Sequence, residues 1–283
     1  MLKEKVVIMT GAAGGIGQAT AYLFAQNGAN LVLTDIERNR LEELGRNLDG
    51  FKAKVALIEH DVTDPESWQS LVQRVRKGYG QIDVLLNIAG VVQPRISDKA
   101  TLDEIQRQVS VNLLGTIYGC RAVLAVMKEQ NFGKIVNIAS LGGIVPMPGE
   151  AIYCSTKYAI RGYSLSLRAE LYNSPISVTV VCPDSVNTPQ LDYELLHDEA
   201  VLSFIGKPLK PERVAKAILK AVEKKTPEIV VPAGMGFFCR IGMAFPRLFF
   251  LLLPFLEKLG RSTMKRRRAE KEKGRDDHER RLV

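Results

Sequence analysis

The sequence predicts an α/β fold: a single doubly wound domain with a seven-stranded parallel sheet between layers of helices, followed by a C-terminal hydrophobic and basic arm. Three observations carry this. Short β-branched or aliphatic runs alternate with longer helical patterns, as successive βαβ units require. The first run passes straight into a glycine-rich loop that opens a helical pattern. The chain has 283 residues, 46% hydrophobic and 25% charged, which suits one large globular domain and excludes disorder and collagen-like fibre.

Taken in order, strands are expected at residues 6–10, 30–35, 54–59, 84–87, 134–139, 177–182 and 229–231. Most read as short apolar runs, the pattern of strands covered on both faces of a parallel sheet. Helical patterns lie between them at 16–27, 37–48, 65–79, 102–130, 153–173 and 211–224. Residues 1–232 form the domain, whose ligands are expected at the carboxyl ends of the strands. Residues 233–260 form a hydrophobic amphipathic arm, and residues 261–283 a basic tail.

Composition removes several classes of function. The four cysteines, Cys120, Cys154, Cys182 and Cys239, lie far apart with no CxxC pair, so neither a disulfide framework nor a thiolate metal site is expected. A reducing compartment follows. The strand-like run from Val6 has no basic segment and apolar stretch ahead of it, so cytoplasmic residence is expected rather than secretion. Of the formal charge of +8, residues 257–283 supply most, with 11 Lys/Arg against 6 Asp/Glu. That tail has no Phe, Tyr or Trp to stack on bases, so nucleic acid is not expected as a partner, and Lys265 to Arg268 read as a solvated charge run. Nor does any stretch read as the roughly 20 uninterrupted apolar residues of a spanning helix. Residues 6–34 are broken by glycines and amides, and residues 237–256 by Arg240, Pro246, Arg247 and Pro254.

The loop after the first strand reads Thr10-Gly11-Ala12-Ala13-Gly14-Gly15-Ile16-Gly17. Glycines let a backbone turn tightly and approach a pyrophosphate, whose charge is met by the N–H groups at the helix start. A strand-loop-helix context makes this a Rossmann-type dinucleotide signal rather than a chance glycine turn. Asp35 ends the second strand 18 residues beyond Gly17, close to the roughly 20-residue offset at which a carboxylate binds a ribose 2′-hydroxyl and repels a 2′-phosphate. NAD(H) is therefore the expected cofactor, with NADP kept open by Arg38 nearby.

From this point the chain resembles the short-chain dehydrogenase/reductase superfamily. Thr10, Gly11, Gly15 and Gly17 fall on its Thr-Gly-x-x-x-Gly-x-Gly loop, in which Ile16 stands between the last two glycines. Asp61-Val62, Asn87-Ile88-Ala89-Gly90, Asn112, Ser140, Tyr153, Lys157 and the segment from Pro183 to Thr188 follow in the family's order. The resemblance implies that Asp61 and Val62 frame the adenine, and that Asn87, Ala89 and Gly90 pass beneath the adenosine. It also implies that Pro183, Val186 and Thr188 orient the nicotinamide carboxamide. Two positions depart from the family: Ile88 replaces a commoner Asn, and Asp184 a commoner Gly.

Tyr153 and Lys157 are four apart in a helical pattern and so share one face. A free phenol has a pKa of about 10, and a neighbouring ammonium is expected to bring it towards working pH for acid/base service. The resemblance adds the remaining roles. Ser140 holds the substrate oxygen beside Tyr153, Lys157 also binds the nicotinamide ribose, and Asn112 holds a water in a relay to solvent. With cofactor, this set interconverts an alcohol and its ketone or aldehyde.

The substrate is expected to be lipophilic, such as a sterol, a retinoid or a long-chain 3-oxo lipid. Residues 189–211, which cover the substrate in this family, carry Leu191, Leu195, Leu196, Val201, Leu202, Phe204 and Ile205, and Leu141 to Met147 are equally apolar. No Arg or Lys cluster stands there to clamp an anion. In the arm, Arg240, Arg247, Lys258, Arg261 and Lys265 form a cationic stripe if helical, opposite Phe238, Phe245, Phe249, Phe250, Leu252 and Leu256. Such an arm is expected to lie on a membrane surface. A homodimer or homotetramer is the family's habit. The alternatives are a soluble NADPH-dependent 3-oxoacyl reductase and a non-catalytic cofactor sensor or scaffold.

Overall fold

The computed structural model describes residues 2–279. Seven parallel strands form one sheet in the order β3-β2-β1-β4-β5-β6-β7, with β1 Val6–Thr10, β2 Asn30–Asp35, β3 Val55–Glu59, β4 Val84–Asn87, β5 Gly133–Ile138, β6 Ile176–Pro183 and β7 Glu228–Val231. The expected strands are all present, with ends shifted by one residue at most. The order reverses direction at β1, which places a ligand crevice between the ends of β1 and β4.

The central strand shows why these runs are apolar throughout. Val7 and Met9 point into one layer with Leu31, Leu33, Phe24 and Ile218, while Val6 and Ile8 point into the other with Trp68, Leu71, Cys120 and Val123. The first layer is built by α1 Gly15–Gln26, α2 Arg38–Leu48 and α8 Pro211–Glu223, the second by α3 Pro65–Tyr79, α5 Gly115–Glu129 and α6 Ala151–Glu170. Local chemistry sets the limits of α3. Asp64 accepts from the Glu66 N–H (2.8 Å), Pro65 occupies the first turn, and Gly80 ends the helix in the left-handed region (φ 78°).

The long helical pattern at 102–130 is one continuous helix, Leu102–Glu129, long and apolar enough by length and composition to cross a membrane. It instead packs into the domain, with Cys120, Val123 and Met127 fully buried. It opens as α4 Leu102–Gln108 with a Thr101/Glu104 capping box, then passes through a π-helical turn, Val109–Leu114, into α5. That wider turn carries Asn112.

The C-terminal region differs from the expectation in three ways. The segment after β6 is helical, with α7 Pro189–Glu194 and a 3₁₀ turn Asp198–Phe204. The arm is two helices, α9 Ala233–Ala244 and α10 Pro246–Glu279, broken at Phe245 (φ −126°, ψ 69°). Arg240 and Arg247 thus sit on different helices, and Arg240 is drawn to Glu228 (2.5 Å), which Arg161 also holds (2.6 Å). The continuous cationic stripe is therefore not formed. Finally, α10 crosses the expected boundary between arm and tail at residue 260 without a break, despite Pro254.

The basic half of α10 is not simply solvated. Met264 is buried against Leu191, Leu195, Ala200, Val201 and Phe204. Arg268 pairs with Asp198 (2.9 Å) and donates to the Leu195 carbonyl (2.8 Å), and Lys271 pairs with Asp192. Residues 280–283 of the expected tail lie outside the described residues.

Candidate active site

Strand register brings Thr10, Asn87 and Asn137 level across β1, β4 and β5. Above them a cleft of about 940 Å³ opens along the carboxyl ends of the strands. Thr10 fixes its floor from below, its hydroxyl accepting from the N–H groups of Ile88 (3.1 Å) and Ala89 (3.2 Å). The Asn87 side chain turns away from the cleft into a buried network, donating to Asn137 (2.9 Å), which donates to Ser164 (2.9 Å). Asn87 thus holds the sheet together beneath the site, while Ile88, Ala89 and Gly90 form the lining.

The expected dinucleotide residues fit that group. Gly11, Gly15, Ile16 and Gly17 line the cleft, and α1 begins with no side-chain cap and no acidic residue in its first turn. Its first N–H groups and positive end are left for an anion. Gly11 adopts φ +63°, and a Cβ there would meet the Ala89 backbone at 2.7 Å; one on Gly17 would meet the Gly11 carbonyl at 2.2 Å. Asp35 accepts from the N–H groups of Ala13 (2.9 Å) and Glu37 (3.1 Å), which fixes its carboxylate at the cleft edge. Arg38 faces elsewhere, paired with Glu42 (2.9 Å) and reaching towards Glu59 (4.0 Å).

Asp61 and Val62 line the same end, beside His60. His60 stands edge-on to Trp68 (4.5 Å between rings) and shares a hydrogen bond with Ser67 through Nδ1 (2.6 Å). Its Nε2 is buried with no partner among the described residues. Burial lowers its pKa to about 4, so the ring is neutral. At the other end Pro183, Val186 and Thr188 line the cleft. Asp184 lines it too, its carboxylate turned onto the Ser185 N–H (2.8 Å) and its pKa raised by burial.

Ser140, Tyr153 and Lys157 meet in this cleft. Ser140 lies two residues past the end of β5 and accepts from the Gly142 N–H (3.1 Å), leaving its own hydrogen to donate. Lys157 is buried, donates to the Ile138 carbonyl (3.1 Å), and places Nζ 5.5 Å from the Tyr153 ring centre. Burial lowers its pKa to about 8. The phenol does not follow the expected direction. Burial and the nearby Glu194 raise the Tyr153 pKa, against a pull downwards from the Ser140 hydroxyl. The Lys157 ammonium does not offset that rise within the chain alone.

Asn112 is fully buried, and its side chain is engaged: it accepts from the Val91 N–H (2.8 Å) and donates to the Val91 carbonyl (2.9 Å) and Thr156 (3.1 Å). It clamps the wall of the cleft rather than presenting a free amide. Its own carbonyl accepts from Thr116 (2.7 Å).

Several lining residues were not legible in the sequence. Arg40, rather than Arg38, lines the cleft, donating to the Ala13 carbonyl (2.9 Å). Glu150, Glu194, Gln190 and Ser203 line the end near Tyr153. Of the apolar residues of 189–211 expected to cover the substrate, Leu191 lines the cleft and, with Leu195, Val201 and Phe204, packs on Met264 of α10.

Residues 5–198 match the short chain dehydrogenase family. Human estradiol 17-beta-dehydrogenase 11 is 33% identical over 254 residues, covering 88% of this chain and 82% of that protein. The 3-oxoacyl-acyl-carrier-protein reductase of Thermotoga maritima is 34% identical over 221 residues, covering 77% and 90%. A short-chain dehydrogenase/reductase from Burkholderia phymatum, solved in complex with NAD, superposes with a TM-score of 0.80 at 24% identity, covering 87% of this chain and 95% of that one.

Proposed function

The chain belongs to the short-chain dehydrogenase/reductase family and is an NAD(P)-dependent oxidoreductase acting on CH–OH groups; on that premise, we propose that it uses NAD(H) on a lipophilic alcohol or ketone at a membrane surface. The observation that carries the lipid reading is the outward face of the last two helices. Phe237, Phe238, Phe245, Phe250, Leu251 and Phe255 are all exposed there, with Leu251 at 76%, beside the exposed Arg247 and Arg261. Exposed large apolar side chains of this kind, interspersed with cations, suit a bilayer interface. The similarity to an estradiol dehydrogenase over 88% of the chain supports the same class of substrate. NAD(H) is supported by the fixed Asp35 carboxylate at the place of the ribose hydroxyls.

When bound, the nicotinamide supplies hydride exchange with the carbinol carbon. The chain does the rest. The Ser140 hydroxyl donates to the substrate oxygen and holds it beside Tyr153, which gives or takes the proton on that oxygen. Lys157 lies beneath the phenol and holds a proton to restore it. The reading extends to a cytoplasmic protein held peripherally on a membrane, and to a homodimer or homotetramer pairing long helices such as α5 and α6.

The test incubates the protein with NAD⁺ or NADH and a detergent-dispersed lipid extract, following alcohols and ketones by mass spectrometry with Tyr153→Phe as control. Conversion of a lipid by wild type alone is expected. No conversion although cofactor binds overturns the lipid reading, and higher kcat/KM with NADPH than with NADH overturns the cofactor assignment. Sedimentation with anionic liposomes tests the surface, and sedimentation equilibrium the stoichiometry.

A further inference from the structure

A second cavity, of about 510 Å³, opens between residues 205–210 and the basic half of α10 and shares no lining residue with the cleft. Lys207 and Lys210 line it on one side, Arg266 and Arg267 on the other, and Glu270 is the one acid on its wall. Arg267 is held in place, donating to the Asn187 side-chain oxygen (3.4 Å) and lying over the Phe204 ring (5.9 Å from its centre). The inner wall is tied down as well. The Asn187 N–H donates to the Leu209 carbonyl (2.8 Å), and the Leu209 N–H to the Ser185 carbonyl (2.8 Å).

Two independent observations point to what this cavity takes. The first is charge. Where α10 latches the roof, each cation is met by an acid, Arg268 by Asp198 and Lys271 by Asp192. At the cavity the acids are missing: Arg266 approaches Glu270 (3.7 Å), and among the described residues no Asp or Glu pairs with Lys207, Lys210 or Arg267. Four cations drawn together around a single acid repel one another until an anion enters, and their N–H groups are the donors that phosphate oxygens take. The second is the row of side chains that runs into the cavity. Leu248, Leu252, Phe255 and Leu259 stand three or four residues apart on α10, each at least 42% exposed. The same spacing continues through Thr263, Arg266 and Glu270 into the cavity wall. One helix face thus passes from exposed hydrocarbon to an anion cavity, the order of chain and head in a lipid.

We propose that this cavity binds the phosphate monoester headgroup of an anionic lipid, whose acyl chains lie along the row from Leu248 to Leu259. This deepens the membrane reading and rests on it. A monoester offers three oxygens and close to two charges to the four cations, whereas a serine phosphodiester offers two oxygens flanked by a further charged group. The surface is therefore read by headgroup and not by negative charge alone.

The test sediments the full chain with phosphatidylcholine vesicles doped with phosphatidic acid or with phosphatidylserine, matched for surface potential. Wild type is expected to partition about tenfold more tightly onto phosphatidic acid, the scale of one charge-assisted hydrogen bond. In Lys207→Gln with Lys210→Gln that preference falls to within about twofold, and Arg266→Gln, on the other wall, loses part of it. Lys216→Gln with Lys220→Gln, which removes the same charge from the exposed face of α8, keeps the preference. Calorimetry then separates a lipid from a free anion: dioctanoylphosphatidic acid below its micellar concentration is expected to bind at least tenfold more tightly than inorganic phosphate. If wild type pellets with neither anionic vesicle, the membrane reading fails and takes this inference with it. If it pellets equally with both, the membrane reading stands and the headgroup site fails. Loss of the preference in the α8 control reduces the effect to net charge and overturns the site, and equal binding of inorganic phosphate and the short-chain lipid overturns the lipid as occupant.

Discussion

Replacing Glu194 by Gln is expected to stabilise the protein, increasingly so as pH rises. Burial holds the Glu194 carboxyl at about 7 instead of its ordinary 4.5, while Ser203 and Gln190 pull weakly the other way. The folded chain therefore keeps a proton that the unfolded chain has already lost across that interval. Stability from this group is complete below about 4.5 and is lost as pH rises through about 7. The whole loss is on the order of 3 kcal/mol, at about 1.4 kcal/mol for each pH step between the two values. Burial and the neighbouring Glu194 also raise the Glu150 carboxyl well above its ordinary range, against a pull downwards from Ser203. From pH 5.5 to 8.5 the folded and unfolded proton counts differ over about 1.5 pH steps, so the advantage of the amide should grow by about 2 kcal/mol. For a chain of this size that is roughly 4 °C in Tm. Differential scanning calorimetry of wild type and Glu194→Gln at the two pH values measures it. A Tm difference that stays constant between pH 5.5 and 8.5, or that favours wild type at the higher pH, refutes the buried, unpaired carboxyl.

Three further outcomes follow from the site. Tyr153→Phe should lower turnover roughly 10²- to 10⁴-fold with NADH affinity unchanged, and Ser140→Ala should cost less, because it removes orientation rather than the proton; fluorescence titration and steady-state rates separate the two. Asp35→Ala should lower the kcat/KM preference for NADH over NADPH by about tenfold or more, since it removes a carboxylate that repels a 2′-phosphate and leaves Arg40 in the cleft wall; an unchanged ratio removes Asp35 from cofactor choice. Phe250→Asp with Leu251→Asp, both on the exposed face of α10, should abolish sedimentation with anionic vesicles while leaving NADH binding intact; undiminished pelleting removes this face from the membrane contact.

The central sheet could be read from the chain because burial on both faces leaves one signature. Val6 to Met9 and Val180 to Cys182 are apolar without alternation, whichever layer each side chain enters. The dinucleotide end was legible for a related reason. Gly11 and Gly17 are demanded by local backbone approach, and Asp35 lies a fixed distance along one βα unit. What was not legible depends on residues far apart in sequence. Arg40 and Arg38 are both basic and both near Asp35, and only the rotation of α2 sends one to the cleft and the other to Glu42. Glu150 and Glu194 look like ordinary surface acids until the covering segment is folded over α6. Asn112 sits in a helical pattern whose widened π turn has no periodic mark, and its amide is spent on Val91 and Thr156. The arm misled through Phe245, where the period restarts and the seven-residue spacing of Arg240 and Arg247 loses its meaning.

The seating of Met264 among Leu191, Leu195, Ala200, Val201 and Phe204 changes what the last helix can be taken for. Its second half forms the outer wall behind the segment that roofs the cleft, with Arg268 and Lys271 riveting the two together. A chain cut before α9 to make it more soluble would strip that roof of its backing and turn five apolar residues out to water. Loss of turnover in such a truncation reports a collapsed roof, not a lost address. Only point changes on the outward half of α10, which leave Met264 seated, can separate where this enzyme works from whether it works.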